Sequence, residues 1–166
     1  MFNGIISFIK LLSSKDKGLY VFIHDLTGFY PKNIELYKLA FVHRSMPVKD
    51  ANGNWVNNER LEYLGDAVLD LVVAAYLYHH YPDNHERFLT STRAKIVQRE
   101  SLTLIGKLFH LDQHVKASSH SSSHNSYISG NAVEAFVGAI YLDRGYDCAQ
   151  KFIEQKIIRD NIDIVS

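Results

Sequence analysis

Cysteine is all but missing from this chain. Cys148 is the one thiol in 166 residues, which excludes an internal disulfide framework and suits a reducing cytoplasm. Close to the end of the chain, it reads as a small, half-buried hydrophobe rather than a reactive thiol. An excess of either charge is missing too. The 18 Lys and Arg balance 18 Asp and Glu, so the broad basic surface that usually accompanies a polyanion partner is not there. Any affinity of that kind has to come from a local cluster, such as Arg87, Arg93, Lys95 and Arg99, or from outside this chain. A membrane span and a secretion signal are also lacking. Phe2, Ile5, Ile6, Phe8, Ile9, Leu11 and Leu12 recur at helical spacing, but Lys10 interrupts them and neither a basic leader nor a small-residue cleavage site accompanies them. Strand signals are scarce and no internal repeat is visible. A chain of this length fits a single domain, residues 1–166, with a core that needs no staple. Its expected location is the cytoplasm, without a membrane or a small-molecule cofactor.

What the chain does have is helical periodicity from end to end. The spacing predicts helices near 2–12, 17–28, 33–42, 57–64 running into 65–81, 86–98, 100–109, 130–144 and 147–160, an all-α architecture. Residues 1–28 are expected to form an N-terminal helical extension, its first helix packing on the body of the domain. Pro31 suits a loop or a helix start, Pro82 stops the longest helix, and Asn52-Gly53-Asn54 makes a turn before that helix begins. Residues 118–126 are the one low-complexity stretch. Its His120 and His124 stand four apart, but a Ser-rich run has no fixed scaffold to hold ligands, so it reads as a solvated loop. His79 and His80 read as capping or surface residues.

Two segments combine carboxylates with unusually apolar surroundings: NNERLEYLGDAVLD at 57–70 and GNAVEAFVGAIYLD at 130–143. In the first, Glu62 and Asp66 are four residues apart and share a helical face. In the second, Asn131 and Glu134 are three apart. Acids at such spacing are most often a solvated face. Here Leu61, Leu64 and Val68, then Val133, Phe136 and Ile140, argue that the two helices bury much of their surface against each other, and Gly65 marks a place of close backbone approach. Carboxylates placed there need a cation, and an all-oxygen set suits Mg²⁺, with Mn²⁺ able to substitute. Glu62, Asp66, Asn131 and Glu134 are the candidate metal residues. Asp70, about 6 Å further along the axis, is expected to be a neighbour rather than a ligand. Asn58 is expected to cap the helix before Glu59.

These residues carry a resemblance. NERLEYLGDAVL at 58–69 resembles the signature of the ribonuclease III catalytic domain, NAVEAFVGAIYLD at 131–143 resembles that family's second acidic motif, and AFVHRS at 40–45 is similar to the segment that precedes the signature. The resemblance runs from roughly Tyr30 to Ile153. It implies an all-α endonuclease domain that forms a homodimer, holds double-stranded RNA in a valley along the dimer, and hydrolyses each strand with a divalent metal in RNA processing, including that of rRNA. Asp66 and Glu134 are then the expected catalytic pair. The more familiar family pattern has an aspartate where this chain has Asn131. The amide can still face a metal or a coordinated water, but it removes one negative charge. Glu59 and Glu86 match positions that the family places near the RNA and the valley, and Arg93 and Lys95, about two helical turns after Glu86, are placed to contact phosphate. Two readings of them stay open: RNA contact, or charges that complement helix termini and solvate exposed faces. Tyr63, Leu64 and Leu69 are expected as exposed apolar residues at the subunit interface. The resemblance also leads one to expect a double-stranded-RNA-binding domain after the catalytic one, for which this chain has no room before Ser166. The alternative reading is a non-catalytic RNA-binding or ribosome-associated module on the same fold.

Overall fold

The structure, a computed structural model, describes residues 15–118 and 127–159. The helix expected over 2–12, residues 119–126 of the Ser/His-rich loop and the two histidines in it lie outside the described residues.

The order of elements follows from where the chain can and cannot continue a helix. Helix α1, Lys17–Thr27, stops at Gly28, whose φ of 79° is the left-handed conformation that glycine adopts without strain. Helix α2, Ile34–Ala40, starts at Asn33, whose side chain accepts from the Glu35 backbone N–H at 3.1 Å. A two-residue hairpin follows, β1 (Val48–Lys49) against β2 (Trp55–Val56), with Val48 opposite Val56. Its turn is held by Asp50 Oδ1, which accepts from the N–H groups of Asn52 and Asn54. The turn at 52–54 is visible in the sequence. The strands are not, because two residues cannot display an alternation.

Helix α3, Glu59–His80, is one continuous element of 22 residues. It is followed by α4 (Glu86–Val97), α5 (Arg99–Leu108), a short 3-10 turn at Leu111–Gln113, α6 (Ile128–Arg144) and α7 (Tyr146–Phe152), which continues as a π-helical segment, Ile153–Arg159. Helix α6 is the centre of the domain: Ala132, Val133 and every residue from Ala135 to Ile140 are buried. It packs along α3, where Leu61, Leu69, Val72, Val73 and Leu77 are buried. The two helices can approach this closely because both are bare at the crossing. A Cβ placed on Gly65 would collide with the Glu134 carbonyl and stand 2.8 Å from the Gly138 nitrogen, and one on Gly138 would collide with the Leu61 carbonyl. Asp143 at the far end of α6 accepts from the N–H groups of Lys32 and Asn33 and from the Tyr37 hydroxyl, which ties α2 to the same helix.

Two expectations are corrected. Leu69 is fully buried rather than exposed, because it lies on the face of α3 turned to the core, and Leu64 is half-buried. The face left uncovered carries Tyr63, Ala67, Leu71 and Tyr78. The residue that caps α3 is Asn57, whose Oδ1 accepts from the Glu59 N–H at 2.9 Å. Asn58 is buried and donates instead to the Ala40 carbonyl, fastening the start of α3 to the end of α2. Cys148 is half-buried and packs against the core, as its composition suggests.

Candidate functional site

The Gly65–Gly138 crossing sets the position of the acids. One turn before it on α3 stands Glu62 and one residue after it Asp66. Glu134 lies one turn before Gly138 on α6, with its own carbonyl against Gly65. The two expected acidic pairs are therefore brought to one place by a contact that only glycine permits.

Their electrostatics report the crowding. Burial pushes the Glu134 carboxyl up to about 7, and the nearby Asp66 and Glu62 push in the same direction against a smaller pull from Arg99. Glu62 is raised by burial first and by Glu59 next, with Arg44 and Arg99 offsetting part of it. Asp66, more exposed, is raised by burial and then by Asp70. All three carboxyls are displaced upward, by burial first and by neighbouring carboxylates second. Among the described residues, no group of three or more His, Cys, Asp and Glu side chains is arranged to hold a metal ion. The donor chemistry, oxygen throughout, fits a hard divalent cation. The carboxyl rotamers as they stand do not close on one point.

Asn131 sits in the first turns of α6, half-buried, and helps line a polar recess of about 180 Å³ together with Glu62, Glu59, Arg99 and His43. Glu59 is exposed at the head of α3, held by Asn57 Nδ2 at 3.1 Å and by Arg44 Nη1 at 3.7 Å. Arg93 leaves α4 to stand 3.9 Å from Asp70 Oδ1, an oxygen with no hydrogen bond of its own, so this arginine faces the acidic side of α3. Glu86 is engaged with its own helix, accepting from Thr90 Oγ1 at 2.9 Å in a first turn whose cap residue, His85, supplies no side-chain bond. Lys95 is exposed on the last turn of α4. Sequence reasoning missed His43, Arg44 and Tyr127 as neighbours of the site. His43 and Arg44 lie in the AFVHRS segment, but nothing in their spacing says that the fold returns them to α6.

The raised carboxyls carry a consequence for stability. A carboxyl whose folded pKa lies above its unfolded value stabilises the fold fully below the unfolded value and ceases to do so as pH rises through the folded one. For Glu134 that window runs from 4.5 to about 7, and Glu62 and Asp66 act in the same sense. The lowered imidazoles of His43 and His114, both depressed mainly by burial, act in the opposite sense, losing stability as pH falls below 6.5. Comparison with Glu134→Gln isolates the carboxyl. In chelator, the stability of the parent relative to this variant should fall by about 1–2 kcal/mol across the window, a figure already reduced for solvent screening at this half-exposed edge. Urea melts of both proteins across that range measure it. Parallel curves would show that Glu134 is not held in its neutral form by the fold.

Comparison with known proteins bears on the domain that carries these residues. A family model described as Ribonuclease-III-like matches residues 33–161. The chain is 50% identical over 164 residues to Ribonuclease 3 of Bacteroides fragilis, covering 99% of this chain and 57% of that protein. It is 48% identical to Ribonuclease 3 of Bacteroides thetaiotaomicron, covering 99% and 53% respectively. The chain thus spans little more than half the length of these relatives. Among solved structures, a nuclease domain of ribonuclease III from Campylobacter jejuni, described for flexibility in a region involved in its dimer formation, superposes with a TM-score of 0.73 at 32% identity, covering 83% of this chain and 95% of that one.

Proposed function

The chain belongs to the ribonuclease-III-like family, and from that premise we propose that it is the nuclease domain of an endoribonuclease that hydrolyses double-stranded RNA with a divalent metal, Mg²⁺ or in its place Mn²⁺. The observation that carries this reading is the glycine crossing, which gathers Glu62, Asp66 and Glu134 at one edge of the two helices, where burial and mutual repulsion raise the Glu134 carboxyl. Glu62, Asp66 and Glu134 would hold the ion, with the Asn131 amide oxygen facing it or a water bound to it. A divalent ion there supplies an activated water and offsets the charge that builds on phosphate during in-line hydrolysis. Asp66 and Glu134 form the catalytic pair. Glu59, Glu86, Arg93 and Lys95 line the course of the RNA, with Arg93 drawn toward the acidic face by Asp70. Incubating the purified domain with a long perfect RNA duplex tests the whole: cutting is expected with Mg²⁺ and not in chelator. Binding without cutting under both conditions would make it a duplex-binding relative without chemistry.

A homodimer belongs to this reading. Tyr63, Leu71 and Tyr78 are 81%, 56% and 69% exposed along α3, and Trp55 and Leu142 open an apolar groove beside Tyr63. A face of that kind is usually covered by a partner. The site of action is the cytoplasm, in keeping with a single thiol and with described helices none of which is long and apolar enough to cross a membrane.

Asn131 supplies a separate test. It is half-buried beside Glu62. Asn131→Asp adds a charge worth on the order of 1–3 kcal/mol at such a position. The Mg²⁺ concentration for half-maximal cleavage should fall about fivefold or more. An unchanged requirement would place Asn131 outside the ion's surroundings.

A further inference from the structure

The polar recess next to the carboxylate crossing has a wall that the nuclease reading does not use. His43 is 4% exposed, and its hydrogen bonds fix its tautomer. The Ser45 backbone N–H can only donate, and it lies 3.2 Å from Nδ1, so that nitrogen is the bare acceptor and the ring proton sits on Nε2. Ser45 Oγ, 2.8 Å from the same Nδ1, accepts from the Ser118 N–H at 3.0 Å and braces the ring from the loop side. Nε2–H is left buried with no partner among the described residues. A buried donor in that state is rare in folded proteins, and one that lines a recess asks for an acceptor from outside.

The charges around it narrow the choice. Arg44 and Arg99 face Glu59 and Glu62, so the recess is formally neutral, and an anion entering it would meet two carboxylates. What the recess offers is a neutral N–H beside carboxylate oxygens. A hydroxyl, which accepts one hydrogen bond and donates another, matches that pairing. Along an RNA duplex the exposed hydroxyl is the ribose 2′-OH, the group by which RNA differs from DNA.

We propose that the recess receives a ribose 2′-hydroxyl of the duplex strand lying at the carboxylate site, with His43 Nε2–H donating to it and Glu59 accepting from it, so that His43 distinguishes RNA from DNA. The inference rests on the reading of double-stranded RNA as substrate. Because Nε2 is buried, entry requires the wall of the recess to open. The Arg44 side chain lines the recess, is 66% exposed and is paired with Glu59 at 3.7 Å, so we assign the opening to it.

Two substitutions separate this role from a purely structural one. His43→Asn keeps an acceptor near the position of Nδ1 for Ser45 and removes the outer donor. His43→Gln places an amide N–H near the position of Nε2 and offers Ser45 nothing. The probe is one RNA duplex in which the nucleotides flanking the cut are replaced, one at a time, by 2′-deoxy nucleotides, read both as kcat/KM with Mg²⁺ and as equilibrium affinity by fluorescence anisotropy in chelator. One deoxy position should weaken the parent about fivefold, the loss expected for a single neutral hydrogen bond. That loss should vanish in His43→Asn and persist in His43→Gln, with thermal melts showing that both fold. A flat deoxy series in the parent overturns the inference. So does the reverse order, with His43→Asn behaving as the parent and His43→Gln defective, since His43 would then be only a brace for Ser45. If the parent binds duplex with the same deoxy and His43 dependence but never cuts, the catalytic reading falls and this one stands. If it cuts and the series is flat, the opposite holds.

Discussion

Gly65→Ala is expected to destabilise the domain by about 3 kcal/mol or more, the upper end of what overpacking a core costs, and to leave a large unfolded fraction at ordinary temperature. The added methyl has nowhere to go. It would collide with the Glu134 carbonyl and come 2.7 Å from that carbonyl's carbon and 2.8 Å from the Gly138 nitrogen. These are backbone atoms of the most buried helix in the domain, so α6 as a whole would have to move away from α3 to relieve them. The better helix propensity of alanine, roughly 1 kcal/mol over glycine, works in the other direction and is too small to compensate. Against a total stability of about 5–15 kcal/mol for a domain, such a loss is decisive. Gly138→Ala meets the Leu61 carbonyl in the same way, and because the two glycines face each other their effects should not add. The control is Gly18→Ala in α1, where a Cβ would meet nothing within 4 Å and the helix should gain a little. Urea melts of the three variants decide it. A Gly65→Ala protein as stable as the parent would mean that the two helices do not cross at this point, and the proposed gathering of Glu62, Asp66 and Glu134 would go with it.

That crossing was legible because its signal is local. A glycine between two acids in an apolar helix marks close backbone approach, and spacings of four and three residues put Glu62 with Asp66 and Asn131 with Glu134 on common faces. The bounds of the longest helix follow from the same periodicity and from Pro82. What stayed hidden depends on partners far off in sequence. Leu69 reads as one more apolar residue on α3 until α6 covers it. Asn57 and Asn58 are the same residue type in succession, and only the position of the Ala40 carbonyl decides which of them caps and which reaches back. The hairpin is too short for alternation to show. The ionisation of Glu134 reflects burial under a neighbouring helix and two carboxyls from the other motif, and Arg93 finds Asp70 across a turn between helices. The His43 recess joins residues from the loop before α3, from α3, α5 and α6, a gathering that no linear spacing announces.

Glu134→Gln should lower cleavage of duplex RNA by about 100-fold or more at a fixed Mg²⁺ concentration while the affinity for the duplex is kept. Glutamine preserves the length and volume of the side chain, so α6 keeps its packing against α3. What it loses is a negative charge at the place where burial and two neighbouring carboxyls already make charge expensive. Removing that charge relieves Glu62 and Asp66, so the metal-free variant should be at least as stable as the parent near neutral pH, in line with the pH dependence expected of the parent. The same change leaves a divalent ion with one carboxylate fewer, which is why its effect on chemistry should be large and its effect on the fold small or favourable. A residue that merely supports the fold would show the reverse, a loss of stability with activity falling in proportion to the folded fraction. The decisive measurement is single-turnover cleavage by the parent and Glu134→Gln proteins over a range of Mg²⁺ concentrations, with the folded fraction of each known from its melt. Raising Mg²⁺ should recover part of the rate if the lost charge acts through binding the ion, and little of it if Glu134 also takes part in the chemical step. Cleavage by Glu134→Gln at the parent rate would remove Glu134 from the site and leave Glu62 and Asp66 without a partner on α6.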